Sequence, residues 1–406
     1  AMAVSVDALR LLERYPGAAA VDPLMQAFDL CADTHVRRPK RPVPAPLDPG
    51  NDPEPAGERL YDLVEQEELW EAEALLRGAL ARGWDRSVVE PWLYRICAQH
   101  FMGFGHGLIY LRKIFDLLDA VGWDHAMDVL PAHLLALGSQ TREDVLPEWG
   151  WFRKRMDAVE PRLEALYQGQ AEGGRDLDTP TLVTALTDGT REEAFDAVTT
   201  ALEAQAPLSA IVNAMSLAAS ERLLRFNHDI DADRTIQNSW LEVTHTFTFV
   251  NALRFAVERY RSPHVLRLLY FAARFINHHK VLDFPPDRRY HDGEATGDVD
   301  ACRAGIEAGV GSRDAQGALD ALGAFLRAGG DTDSLRPFFE DLAIGDVLTR
   351  PIHLAHLIKN CTAAFEEHRF LARAGHPEAA LPLYAFIRFT ASPIQERTVA
   401  HRSYEA

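Results

Sequence analysis

The stretch His106–Gly122, HGLIYLRKIFDLLDAVG, decides the fold class. Its apolar residues Leu108, Ile109, Leu111, Ile114, Phe115 and Leu118 return at spacings of three and four, which lines one face of an α-helix. The same periodicity spreads outward over Leu60–Arg82, Val88–Leu118, Ala126–Leu137, Arg191–Ala204, Leu208–Phe226, Trp240–Arg259, His264–His278, Ala315–Ala328 and Pro351–Ala374. Convincing strand alternation is missing. The best candidate, Leu182–Leu186, follows Thr179 and Pro180, which read as an N-cap and a first-turn proline opening a helix. The sequence therefore predicts an all-α fold, antiparallel helical hairpins packed as two halves around a central crevice.

The chain has 406 residues, long for a single core and short for three domains. Residues 1–167 are expected to form an N-terminal half and 179–406 a C-terminal half, together one compact unit. Val36–Gly57 holds seven prolines and two glycines and reads as an extended surface loop. Gln168–Asp178 reads as the seam. Asp283–Val299 is polar and turn-rich, an active-site lid or a long surface loop.

Composition excludes several function classes. A formal charge of -18, from 60 acidic and 42 basic residues, repels phosphate backbones and anionic lipid, so neither nucleic acid nor membrane is an expected partner. Cys31, Cys97, Cys302 and Cys361 form no CxxC pair, which fits buried thiols in a reducing compartment. The opening AMAVSVDALRLLERYPG reads as neither signal peptide nor membrane span, so the expected location is the cytoplasm.

A spacing recurs. His106 precedes His125 by 19 residues, His245 precedes His264 by 19, and His356 precedes His376 by 20. Hairpins of similar length account for this without chemistry. His125, His264 and His376 read as helix-start residues, and the leading histidines His106, His245 and His356 as the set of interest. In the helix from Pro351, His353, His356 and Lys359 lie three apart on one face among apolar residues. A lysine there must snorkel to water, pair with an acid such as Glu366 or Glu367, lose its proton or be chemically neutralised. His245 opens the apolar run HTFTFV, and Gly103-Phe104-Gly105-His106-Gly107 precedes the quoted helix. No strand precedes those glycines, so neither dinucleotide fingerprint nor P-loop applies; they let the backbone approach something closely. His278-His279-Lys280 closes a helix, and His278 or His279 could be a further ligand or an acid/base. Asp229, Asp231 and Asp233 alternate as in a calcium loop, but Arg234 stands at the glycine position and Trp240 at the glutamate position.

Three of these elements, in order, resemble the questin oxidase-like proteins, all-helical oxygenases of aromatic polyketide pathways. His106-Gly107-Leu108-Ile109 resembles their histidine followed by Leu-Ile at a helix start. Val243-Thr244-His245-Thr246-Phe247-Thr248, with Ala252-Leu253-Arg254, resembles a Val-His-Ala-Phe-Thr-like element and its Ala-Leu-Arg helix. His356-Leu357-Ile358-Lys359 is similar in spacing to a Gly-His-Ala-Val-Lys-like element. A further His-rich helix of fungal members has no clean counterpart, with His35 and His100 as substitutes. The resemblance implies a non-heme Fe(II) centre held by His106, His245, His356 and a carbamylated Lys359, with aromatic substrate and dioxygen as partners. His353 joins that metal set on helix geometry alone. Two other readings are a cofactor-free or NADPH-linked Baeyer–Villiger-type monooxygenase, favoured by carboxylates beside the histidines, and a non-catalytic helical-repeat scaffold, favoured by dispersed histidines. A homodimer is one assembly the sequence allows.

Overall fold

Ser239 starts the helix on which the rest is organised. Its hydroxyl accepts from the Leu241 N–H at 3.2 Å, and the Glu242 carboxylate accepts from the Ser239 N–H at 2.6 Å, a reciprocal capping box. The helix that follows, Trp240–Arg259, is buried around most of its circumference. The computed structural model describes residues 2–12, 15, 24, 25, 28, 41–170, 176–232, 239–290, 293, 295–344 and 351–392, without the side chains of 2–4, 232 and 351–354. Among the described residues there is no strand beyond two isolated backbone bridges, so the fold is all-α.

Trp240–Arg259 packs on His106–Val121, Leu208–Arg225, Val265–His278 and Pro351–Arg373. Met2–Leu12 packs on His106–Val121 and Pro351–Arg373 in turn. The helices 2–12, 106–121, 240–259 and 351–373 thus close a ring, each touching two others. Their shared interior is polar along part of its length. Arg112 bonds Glu366 at 2.9 Å and Asp116 at 2.9 Å; Arg254 meets Glu367 at 2.6 Å; Lys113 meets Asp7 at 2.6 Å. Buried charges survive only when paired in this way. Outside the polar stretch one apolar core runs unbroken from Ala56 to Ala391, crossing the seam at 168–178.

The structure corrects several boundaries. Leu60–Arg82 is two helices, Pro53–Glu65 and Leu69–Ala81, with Glu67 at a positive φ of 61° between them. Asp52 caps the first of these, so the proline-rich loop ends there and not at Gly57. Val88–Leu118 is also two, Arg86–Gln99 and His106–Val121. The N-cap before Thr179 is Asp178, whose side chain accepts from the Thr181 N–H. Cys97, Cys302 and Cys361 are buried, while Cys31 and His35 lie outside the described residues. No described helix is long and apolar enough to cross a membrane.

Candidate metal centre

The approach to His106 is a left-handed turn. Gly103, Phe104 and Gly105 have φ of 55°, 61° and 84°. Two of the three are glycines, for which this costs little. The turn is tied down by the Gly103 N–H donating to the Thr141 carbonyl at 2.9 Å and the Phe104 N–H donating to the Glu143 carboxylate. A Cβ on Gly105 would stand 3.1 Å from the Phe249 ring, and one on Gly107 would stand 3.1 Å from Met102. The glycine run therefore serves close packing of protein on protein.

His106 is the first residue of its helix, His245 lies in the second turn of Trp240–Arg259, and His356 lies in Pro351–Arg373. These histidines, far apart in sequence, meet inside the ring of helices. His245 Nε2 and His356 Nε2 are 2.9 Å apart. The His106 and His245 rings are edge to face with centroids 4.4 Å apart. Lys359 Nζ is 3.4 Å from His356 Nε2. His245 Nδ1 is buried without a well-formed hydrogen bond, although it faces the Leu241 carbonyl one turn back.

Lys359 is 3% exposed and does not snorkel. Glu366 and Glu367 are engaged with Arg112, Asn251 and Arg254. Burial, then the Lys113 ammonium, push Lys359 down to about 8, against a smaller opposing pull from Asp7. Burial and the nearby Lys359 hold His106 down at about 4, with the Gly103 carbonyl working the other way. Burial holds His245 well below the usual imidazole range, with His356, Lys359 and His106 adding to it. Both imidazoles are neutral at pH 7, the form that offers a lone pair to a metal.

The remaining candidates fall in different places. His353 is on the same helix as His356, but its side chain lies outside the described residues. His279 is fully buried, its Nδ1 2.8 Å from Thr246 Oγ1, and the Phe104 ring stands between it and His245, with centroids 5.8 Å and 5.4 Å away. His278 is exposed at the helix end, its ring 5.4 Å from that of His279. His100 bridges Asp144 and Glu65 and takes no part in the cluster. Among the described residues no three or more His, Cys, Asp or Glu side chains stand ready-made around one ion position. The convergent set is mixed: imidazoles plus one lysine. Two surface clefts, of about 490 Å³ beside Tyr290 and Tyr384 and about 530 Å³ beside Trp151 and Phe195, do not touch it. Sequence reasoning passed over Tyr110, Lys113 and Asp7. Lys113 sits two turns after His106 on the same face, a legible signal; Asp7 has none, because only tertiary packing brings it near.

Comparison with protein-family models, with curated proteins and with solved structures finds no match to this chain.

Proposed function

We propose that this protein is a metal-dependent oxygenase, with Fe(II) held by His106, His245, His356 and Lys359, acting on an electron-rich polycyclic aromatic. One observation carries the reading: the 2.9 Å separation of two buried imidazole nitrogens, Nε2 of His245 and Nε2 of His356. Nitrogens bound about 2.1 Å from a common ion stand roughly 3.0 Å apart at right angles and roughly 3.4 Å apart in a tetrahedron. The donor set fits an ion without large rearrangement of the pair. The carbonyls of Gly103 and Leu241 face His106 and His245, the kind of backbone partner that fixes a ligand's tautomer. The strongest charges acting on His245 are basic ones, which disfavours a cofactor-free imidazole base oriented by a carboxylate. The scaffold reading expects dispersed histidines, whereas these converge.

Lys359 supplies the anionic ligand. Its amine attacks carbon dioxide, a C–N bond forms, one proton leaves, and the side chain becomes a carbamate. That conversion removes the buried ammonium and turns Lys113 from a repelling neighbour into an attractive one. Iron bound here would activate dioxygen for oxidative cleavage of the aromatic ring. The chain's own residues do the rest. Phe104, Phe249 and Phe275 exclude water on one side. The resemblance to questin oxidase-like proteins supports the same chemistry.

The test is metal content by mass spectrometry on anaerobically purified protein, wild type beside His245→Ala and Lys359→Ala. Near-stoichiometric iron in the wild type, lost in both variants, is the expected result. A wild type still metal-free after reconstitution with Fe(II) would overturn the proposal.

A further inference from the structure

Phe104 is the one residue of the left-handed turn that has a side chain. A bulky residue at φ 61° and ψ 38° is strained by about 1–3 kcal/mol, and such strain persists only where the surroundings over-determine it. Here they do. Gly103 and Gly105 adopt the same region on either side, the Thr141 carbonyl holds Gly103, and the Glu143 carboxylate holds the Phe104 N–H. The Glu143–Val145 turn is itself pinned, since the Glu143 N–H donates to the Phe101 carbonyl at 2.9 Å and the neighbouring Asp144 accepts from the Phe101 N–H at 2.9 Å.

All of this aims one ring. Phe104 is edge to face with His245 at 5.4 Å and with Phe275 at 5.2 Å, and it is only partly buried. Phe101, Phe249 and Phe275, packed behind it, are buried. Phe104 is therefore where the aromatic lining on the His245 side of the cluster comes toward the outside, as Tyr110 does on the His106 side, its ring 4.7 Å from that imidazole. A ring needed only for filling could sit on a relaxed backbone, and a turn needed only for geometry would carry a third glycine.

We propose that Phe104 is the substrate-facing wall of the histidine centre, a specificity-determining residue against which the flat face of a polycyclic phenol lies. This rests on the oxygenase reading and names what orients its substrate. Phe104 takes no part in bond making. It fixes the plane of the bound ring relative to His245 and keeps water from that side of the site.

Two readouts separate this proposal from the one beneath it. Fluorescence titration with β-naphthol reports the aromatic subsite, and visible absorption on Co(II) loading reports the histidine centre. Wild type is expected to bind both. Phe104→Leu keeps apolar bulk without a π face and is expected to load Co(II) unchanged while binding β-naphthol at least about tenfold more weakly. Phe104→Tyr keeps the ring and is expected to bind within about threefold of wild type. Unchanged β-naphthol affinity in Phe104→Leu, with Co(II) loading intact, would overturn this assignment alone. A wild type that takes up neither Co(II) nor β-naphthol would overturn both.

Discussion

Lys359 shows what one buried charge does to a helix face. The unfolded chain keeps its proton up to about pH 10.5, while in the folded, metal-free protein burial and Lys113 bring release down to about 8. Below pH 8 the ammonium is carried into the core at a cost of about 3 kcal/mol, since each tenfold loss of proton affinity is worth roughly 1.4 kcal/mol. Between those two values the unfolded state binds more protons, so stability climbs with pH. Lys359→Met is therefore expected to stabilise metal-free protein by about 1–3 kcal/mol at pH 7, with the gap narrowing by pH 10. Urea unfolding at both values measures this, and a gap that stays constant contradicts it. That Lys359 poses a problem is legible in the sequence, from apolar neighbours on both sides. What stands near it is legible only in part, because Lys113 shares a helix face with His106 while Asp7 is brought near by tertiary packing alone.

At the scale of elements, His100 is a joint. It follows the Arg86–Gln99 helix and hydrogen-bonds Asp144 at 2.9 Å and Glu65 at 3.0 Å, tying that helix to the end of Pro53–Glu65 and to the turn that holds Phe104. Burial alone lowers the His100 pKa, but the bonds to Asp144 and Glu65 outweigh it and raise the group above 6.5. A raised histidine contributes stability that is full below its unfolded value and lost as pH rises through the folded one. Wild-type stability should therefore fall as pH passes upward from about 6.5. His100→Gln should flatten that slope and cost about 1.5–3 kcal/mol at pH 6. Thermal melts across the range decide it; parallel profiles for the two proteins rule it out. Elements such as Trp240–Arg259 are readable from end to end because Ser239 and Glu242 announce the start. The break at Glu67 is not, since a positive φ at glutamate carries no glycine or proline signal. Leu381–Ala391 escapes for a different reason: it is apolar nearly all round, and periodicity has nothing to contrast.

Across the whole molecule, the ring of helices is closed by Met2–Leu12. Asp7 is fully buried against Lys113, so Asp7→Ala leaves an unpaired ammonium in the core and is expected to cost about 3–5 kcal/mol. Replacing both members, Asp7→Leu with Lys113→Met, should recover most of it. A loss under about 1 kcal/mol in the single variant, read from urea midpoints, would show that water reaches the pair. The same helix has a consequence for how the protein comes into being. Arg10 bonds Glu366 at 3.0 Å, across 356 positions of chain. Closing so long a loop costs about 5 kcal/mol of entropy, and an eleven-residue helix is marginal alone in water. On the ribosome, at roughly 5–20 residues per second, Met2–Leu12 has His106–Val121 to pack on first and waits tens of seconds for Pro351–Arg373. His106 and His245 emerge long before His356. Whatever ligand the His245–His356 pair takes is acquired only after Pro351–Arg373 has been made, and a chain interrupted before that helix carries the first two histidines with nothing to close over them.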